Sequence, residues 1–131
     1  MVATSNNVTA PVVYVVDDDE AVRRSLGLLI ERLSPATVEC YESGESFLAN
    51  RKITPCECLV LDMRMPGLSG SDVLEELKNR KAELPTILIS GHADSLPNGD
   101  ELPSNVLAFL EKPYRAQELL DVIHKALKLN K

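Results

Sequence analysis

VVYVVDDDEAVRRSLGLLIERL (12–33) changes period halfway through, and that change decides the fold. Residues 12–16 form an unbroken apolar run rich in β-branched side chains, the mark of a strand buried on both faces. Three aspartates follow. Then Val22, Leu26, Leu29, Ile30 and Leu33 recur at i, i+4, i+7, i+8 and i+11, which places them on one stripe of a helix. Ser34-Pro35 ends that helix.

The same strand-then-helix alternation continues along the chain. Short strands are expected near Thr37–Tyr41, Cys58–Leu61, Thr86–Ser90 and Val106–Leu110. Helices are expected over about 45–50, around Val73, Leu74 and Leu77, and over about 115–129, with Leu119, Leu120, Ile123 and Leu127 on one face. Alternating strands and helices imply a parallel sheet covered on both sides, an α/β fold. One stretch departs from the pattern. A crossover should join the last two strands, yet ADSLPNGDELPSN (93–105) carries Pro97, Gly99 and Pro103. Interior proline costs about 3 kcal/mol and glycine about 1 kcal/mol in a helix. The helix between strands four and five is therefore expected to be short or missing, with at most a turn or two near Gly99–Leu102.

At 131 residues the chain fits one domain, read as 11–131 behind a flexible lead-in over 1–10. Hydrophobic residues make up 44 % but aromatics only 4 %, so the core is aliphatic. No apolar run is long enough to span a bilayer, and the first ten residues lack a signal-peptide pattern. A net charge of −6 argues against direct nucleic-acid binding. Cys40, Cys56 and Cys58 show neither zinc spacing nor an even count, so Cys58 reads as a small core residue in a cytoplasmic protein.

In an open α/β sheet the site lies outside the carboxyl ends of the strands. The strands there deliver Asp17-Asp18-Asp19, Asp62, Ser90 with Gly91, and Lys112-Pro113. Clustered carboxylates repel and call for a cation, and an all-oxygen set suits Mg²⁺. A carboxylate can also act as a nucleophile toward phosphorus. Lys112 offers a point charge for phosphoryl oxygens, Ser90 a hydrogen bond, and Gly91 no side chain to obstruct approach.

Ordinary roles compete with these. Asp19 and Glu20 suit a helix start, Asp62 alone would be a turn residue, Phe109 alone would be core, and Lys112 alone would be a surface lysine. His92 and His124 sit in no site-like constellation of their own.

Taken together, VYVVDDDEAVRRSL, LVLDMRMPGLSG, ILISGH and FLEKPY resemble the receiver domains of bacterial response regulators, particularly those of nitrogen-fixation and LuxR-type regulators. The resemblance covers roughly 11–130 and implies a flavodoxin-like, doubly wound five-stranded parallel sheet of order 2-1-3-4-5. By that resemblance Asp62 is the phosphoacceptor. Asp17 and Asp18, with Asp62 and the backbone carbonyl of Arg64, hold Mg²⁺. Ser90 is the switch hydroxyl, Phe109 the switch aromatic and Lys112 the phosphoryl-binding lysine. Gly91, Arg64 and His92 flank the phosphoryl site, the last two tuning how long the phosphoryl group survives. Lys112-Pro113 should be a cis peptide.

The resemblance also implies a signalling domain rather than an enzyme, phosphorylated by a sensor histidine kinase. It would act on an effector domain or downstream protein, transcription among the outputs, with a phosphorylation-dependent homodimer as one assembly. Two other functions compete. A phosphatase of the haloacid-dehalogenase type would use Asp17-x-Asp19, with Asp19 as general acid. A pseudo-receiver would dock partners without phosphorylation, but such domains typically lack an acid, the acceptor or the lysine.

Overall fold

A computed structural model describes residues 11–50, 57–82, 84–91 and 105–129. The lead-in 1–10, Cys56, His92 and the segment 93–104 lie outside the described residues. So does the expectation of a shortened fourth crossover.

The described elements are β1 (Val12–Val16), α1 (Glu20–Leu33), β2 (Thr37–Tyr41), α2 (Gly44–Asn50), β3 (Glu57–Asp62), α3 (Gly70–Asn79), β4 (Thr86–Ser90), β5 (Val106–Glu111) and α4 (Ala116–Leu129). All five strands pair in parallel in the order β2-β1-β3-β4-β5. This is the flavodoxin-like arrangement that the sequence led us to expect.

Alternation along the strands divides the core in two. Val12, Tyr14, Val16, Leu59, Leu61 and Leu88 face α2 and α3, where Phe47, Val73 and Leu77 meet them. Val13, Val15, Cys58, Val60, Ile87 and Ile89 face α1 and α4, against Leu26, Ile30, Leu119 and Ile123. Every residue of β1, β3 and β4 is buried, while β2 and β5 form the partly exposed edges.

Local chemistry sets the helix limits. Asp19 caps α1 by accepting the amides of Ala21 and Val22. Ser43 Oγ accepts the amide of Ser46 at 3.0 Å and so draws the start of α2 back to Gly44. Ser69 and Asp72 form a reciprocal capping box on α3. Leu33 departs from the expected stripe, being 54 % exposed. Fourteen helical residues run about 21 Å, whereas five strand residues cover about 17 Å, so the end of α1 outruns β1.

The turn between β3 and α3 closes tightly, with the Gly70 amide donating to Met63 O at 3.0 Å. A Cβ on Gly70 would lie 2.8 Å from Asp62 O and 2.9 Å from Met63 Cα. Both obstacles are backbone, so neither can swing away. Gly70→Ala is expected to destabilise by about 1–3 kcal/mol, as overpacking does elsewhere. In Gly27→Ala the new Cβ would meet Val38 Cγ1 at 3.7 Å, an ordinary contact. That variant should be neutral or gain up to about 1 kcal/mol of helix propensity. Urea unfolding of the two variants, giving equal stabilities, would show that the approach at Gly70 is not restrictive.

Candidate phosphoacceptor site

The chain passes from β1 outward to β2 and then returns across β1 to β3, so the strand order reverses between β1 and β3. At such a switch point the connections leave on opposite faces and a crevice opens at the carboxyl ends. Val16 pairs with Leu61, so the next residues, Asp17 and Asp62, emerge side by side into that crevice.

Asp17 is only 4 % exposed, and three hydrogen bonds hold it. Its amide donates to Tyr41 O at 3.2 Å. Its Oδ1 accepts the Asp19 amide at 2.9 Å, and its carbonyl accepts Arg23 Nη1 at 2.8 Å. Asp62 is 8 % exposed, and its Oδ1 accepts the Arg64 amide at 3.3 Å. Asp18 is exposed at the rim. Each of these three aspartates presents a carboxylate oxygen within 4.8 Å of the others. Asp19 stands apart from that trio and serves as the α1 cap, its ordinary role. Its Oδ1 accepts two helix amides, the bonding of a helix cap rather than of the general acid that the phosphatase alternative expects there.

Three buried or rim carboxylates so close together cannot all ionise freely. The Asp62 carboxyl is pushed up to about 6, first by burial and next by the Asp17 charge, against lowering by the Arg64 amide and Lys112. Asp17 is also raised, chiefly by burial, and is likewise pulled down by Lys112. The lysine thus acts on both acids. An all-oxygen trio matches the preference of a hard divalent cation such as Mg²⁺. Residues 17, 18 and 62 therefore fit the expected metal pocket in donor chemistry.

The remaining candidates lie on the neighbouring strands. Ser90, wholly buried, ends β4, and its carbonyl accepts the Lys112 amide at 2.8 Å. Phe109 pairs in register with Leu88 and packs, partly buried, against the α2/α3 core. By strand alternation Ser90 shares the face of Leu88, so Ser90 and Phe109 lie on one side of the sheet. The Lys112–Pro113 peptide is cis. Gly91 is exposed, and a Cβ there would meet Lys112 Cδ at 3.9 Å, so its backbone site is open rather than crowded. Arg64 is exposed beside the crevice.

Two neighbours of the site were missed in the sequence. Arg23 sits on the first turns of α1, six residues after the aspartate it binds, and its spacing within DDDEAVR was the available signal. Tyr114 is half-buried, and its phenol is raised first by burial and then by the charges of Asp17 and Asp62. It therefore borders the pocket. Its signal was adjacency to Lys112-Pro113.

No helix among the described residues is long and apolar enough to cross a membrane. Similarity to known proteins agrees with the geometry. The family profile of the response regulator receiver domain matches residues 13–124. Response regulator protein TodT of Pseudomonas putida is 41 % identical over 120 residues, covering 92 % of this chain and 52 % of TodT. The transcriptional regulatory protein FixJ of Rhizobium meliloti is 33 % identical over 114 residues, covering 87 % and 55 %. The chain spans about half the length of these curated relatives. Among solved structures, response regulator StyR superposes with a TM-score of 0.83 at 39 % identity, covering 93 % of this chain and 61 % of that one. FixJ-N superposes at 0.73 and 30 % identity, covering 92 % and 96 %. A profile match across most of the chain, on the fold and switch-point crevice just described, establishes that this chain belongs to the response regulator receiver domains of two-component signalling.

Proposed function

We propose that this domain accepts a phosphoryl group on Asp62 from a partner histidine kinase and thereby switches a protein-interaction surface. The observation that carries this reading is the convergence of the Asp17, Asp18 and Asp62 carboxylates within 4.8 Å, at a strand switch point where Lys112 acts on two of them.

Asp17, Asp18 and Asp62, with the Arg64 backbone carbonyl, would hold Mg²⁺. When bound, the ion supplies positive charge that offsets the repulsion between these carboxylates and the phosphoryl oxygens. The protein's own groups do the rest. The Arg64 amide holds one Asp62 oxygen, which orients the carboxylate. A carboxylate oxygen of Asp62 forms the new bond to phosphorus as the bond to the donor nitrogen breaks, and the donor imidazole leaves with that electron pair. Lys112 meets the charge gathered on the phosphoryl oxygens, which is where such reactions gain most from the protein. Ser90 donates its hydroxyl to the same group once it arrives, and Phe109, on the same face of the sheet, follows the movement of Ser90. Arg64 and Gly91 flank the phosphoryl group, and Arg64 and His92 would limit the access of hydrolytic water.

The relatives named as transcriptional regulators support transcription as the output, through an effector domain or partner protein rather than nucleic-acid contact by this acidic domain. A homodimer formed on phosphorylation is the assembly such an output would use.

Incubation with acetyl phosphate tests the reading, with intact mass and peptide mapping as the readout. A phosphoryl adduct mapping to the Asp62 peptide, formed with Mg²⁺ and blocked by a chelator, is the expected result. Absence of any adduct, with either acetyl phosphate or beryllofluoride, would instead favour a pseudo-receiver that docks partners without phosphorylation.

A further inference from the structure

The geometry points to Arg23 as a positioning residue for the acidic pair, an inference that rests on the metal-pocket reading of the site. Asp17 is held at its amide by Tyr41 O, at its carboxylate by the Asp19 amide and at its carbonyl by Arg23 Nη1. The first two bonds take their partners from the backbone. Only the third comes from another residue's side chain. Arg23 is itself fixed, because its amide closes the first turn of α1 on Asp19 O at 3.0 Å. The guanidinium therefore joins the start of α1 to the peptide between Asp17 and Asp18. That peptide sets the direction in which both carboxylates leave the backbone.

Charge and position make opposite demands at this residue, and that separates the two roles. If Arg23 acted only as a nearby positive charge, it would repel a divalent cation, and its removal would tighten Mg²⁺ binding. If it positions Asp17 and Asp18, its removal loosens them, and Mg²⁺ binding weakens despite the loss of repulsion. Groups that orient metal ligands from outside commonly alter affinity by about 10- to 100-fold. The half-buried guanidinium also repels the cation, an effect of opposite sign that solvent and salt screen only in part. Weaker binding in spite of the lost repulsion is therefore the signature of positioning.

The test is Mg²⁺ titration by calorimetry of the full chain, comparing wild type, Arg23→Gln and Arg24→Gln. Arg24 is the adjacent, exposed arginine, so its variant loses the same formal charge. We expect Arg23→Gln to weaken Mg²⁺ binding about tenfold, at the low end for orienting groups. Arg24→Gln should leave binding unchanged or slightly tighter. In the metal-free protein, the Asp19 amide should exchange with solvent faster in Arg23→Gln than in wild type, because its acceptor on Asp17 is less fixed. Mg²⁺ binding by Arg23→Gln as tight as that of Arg24→Gln would overturn the inference. If wild type binds no Mg²⁺, the metal-pocket reading fails, and amide exchange alone decides. Unchanged exchange at Asp19 would then overturn the positioning role, and faster exchange would uphold it.

Discussion

Asp62→Asn should abolish the phosphoryl adduct and, in the absence of metal, make the protein more stable than wild type. The loss of function follows because an amide oxygen is a poor nucleophile and leaves no carboxylate to carry the phosphoryl group. The stability gain follows from the pocket. Asp62 is held at about 6 against an ordinary 3.8, so its ionised form is disfavoured in the fold. Over that window the native state keeps a proton that the unfolded chain has already lost. Stability must then fall as pH rises from about 4 to about 6, and stay at the lower level above it. A rise from 3.8 to about 6 corresponds to at most about 3 kcal/mol, less whatever solvent reaches the crevice screens away. Asparagine imitates the protonated acid, so the variant should lead wild type by about 1–3 kcal/mol at neutral pH. That lead should shrink toward zero near pH 4. Urea unfolding in chelator at both pH values measures the lead directly. A variant less stable than wild type at neutral pH would show that the three carboxylates are not in conflict.

The same conflict gives a cation bound at this edge a means of stabilising the fold. Two of the acids are buried at the carboxyl ends of central strands, where a packing argument alone would place apolar residues. A cation that binds only the folded state recovers the lost stability through mass action. Mg²⁺ should therefore raise the melting temperature of wild type more than that of Asp62→Asn.

Most of the scaffold could be read in the sequence because its elements are set by local signals. The run 12–16 is apolar at every position and rich in valine, which suits a strand covered on both faces. Asp19 lies one residue before the first helical position, where a capping carboxylate belongs. The differences are instructive. β3 begins at Glu57 rather than Cys58, because backbone pairing with Val12 holds Glu57 in the strand, buried despite its charge. Leu33 is apolar and in phase with the α1 stripe, yet nothing in its spacing tells where the sheet beneath it ends. The Arg23 bond to the Asp17 carbonyl, the closeness of Gly70 to Asp62 and the place of Tyr114 beside the acids are products of tertiary packing. Hydrophobic periodicity reports which face is buried, and it carries no information on which polar atom meets which. The juxtaposition of Asp17, Asp18 and Asp62 was accessible because a parallel sheet sends all its strand ends to one edge.

Lys112→Met should separate phosphoryl transfer from metal binding by moving them in opposite directions. The lysine lies half-buried, and its charge lowers both Asp17 and Asp62. Methionine has a similar length and no charge, so the packing change is small while the electrostatic change is complete. Without the ammonium, a divalent cation meets less repulsion and two less-compensated carboxylates, Asp17 and Asp62, and its affinity should rise. Charge developing on the phosphoryl oxygens, however, loses the partner assigned to it. Removing one preorganised partner for transition-state charge commonly costs about 10²- to 10³-fold in rate. A loss of that order is expected in the rate of Asp62 phosphorylation by acetyl phosphate at saturating Mg²⁺. Saturation matters, because it removes the metal equilibrium from the comparison and leaves only the transfer step. Calorimetry for Mg²⁺ and time-resolved intact mass for the adduct give the two quantities independently. If both fell together, Lys112 would be holding the pocket in shape rather than meeting phosphoryl charge. If the rate were unchanged, the phosphoryl oxygens would have to be met by another group on the crevice wall, and Tyr114, which already feels the charges of Asp17 and Asp62, would be the first to replace.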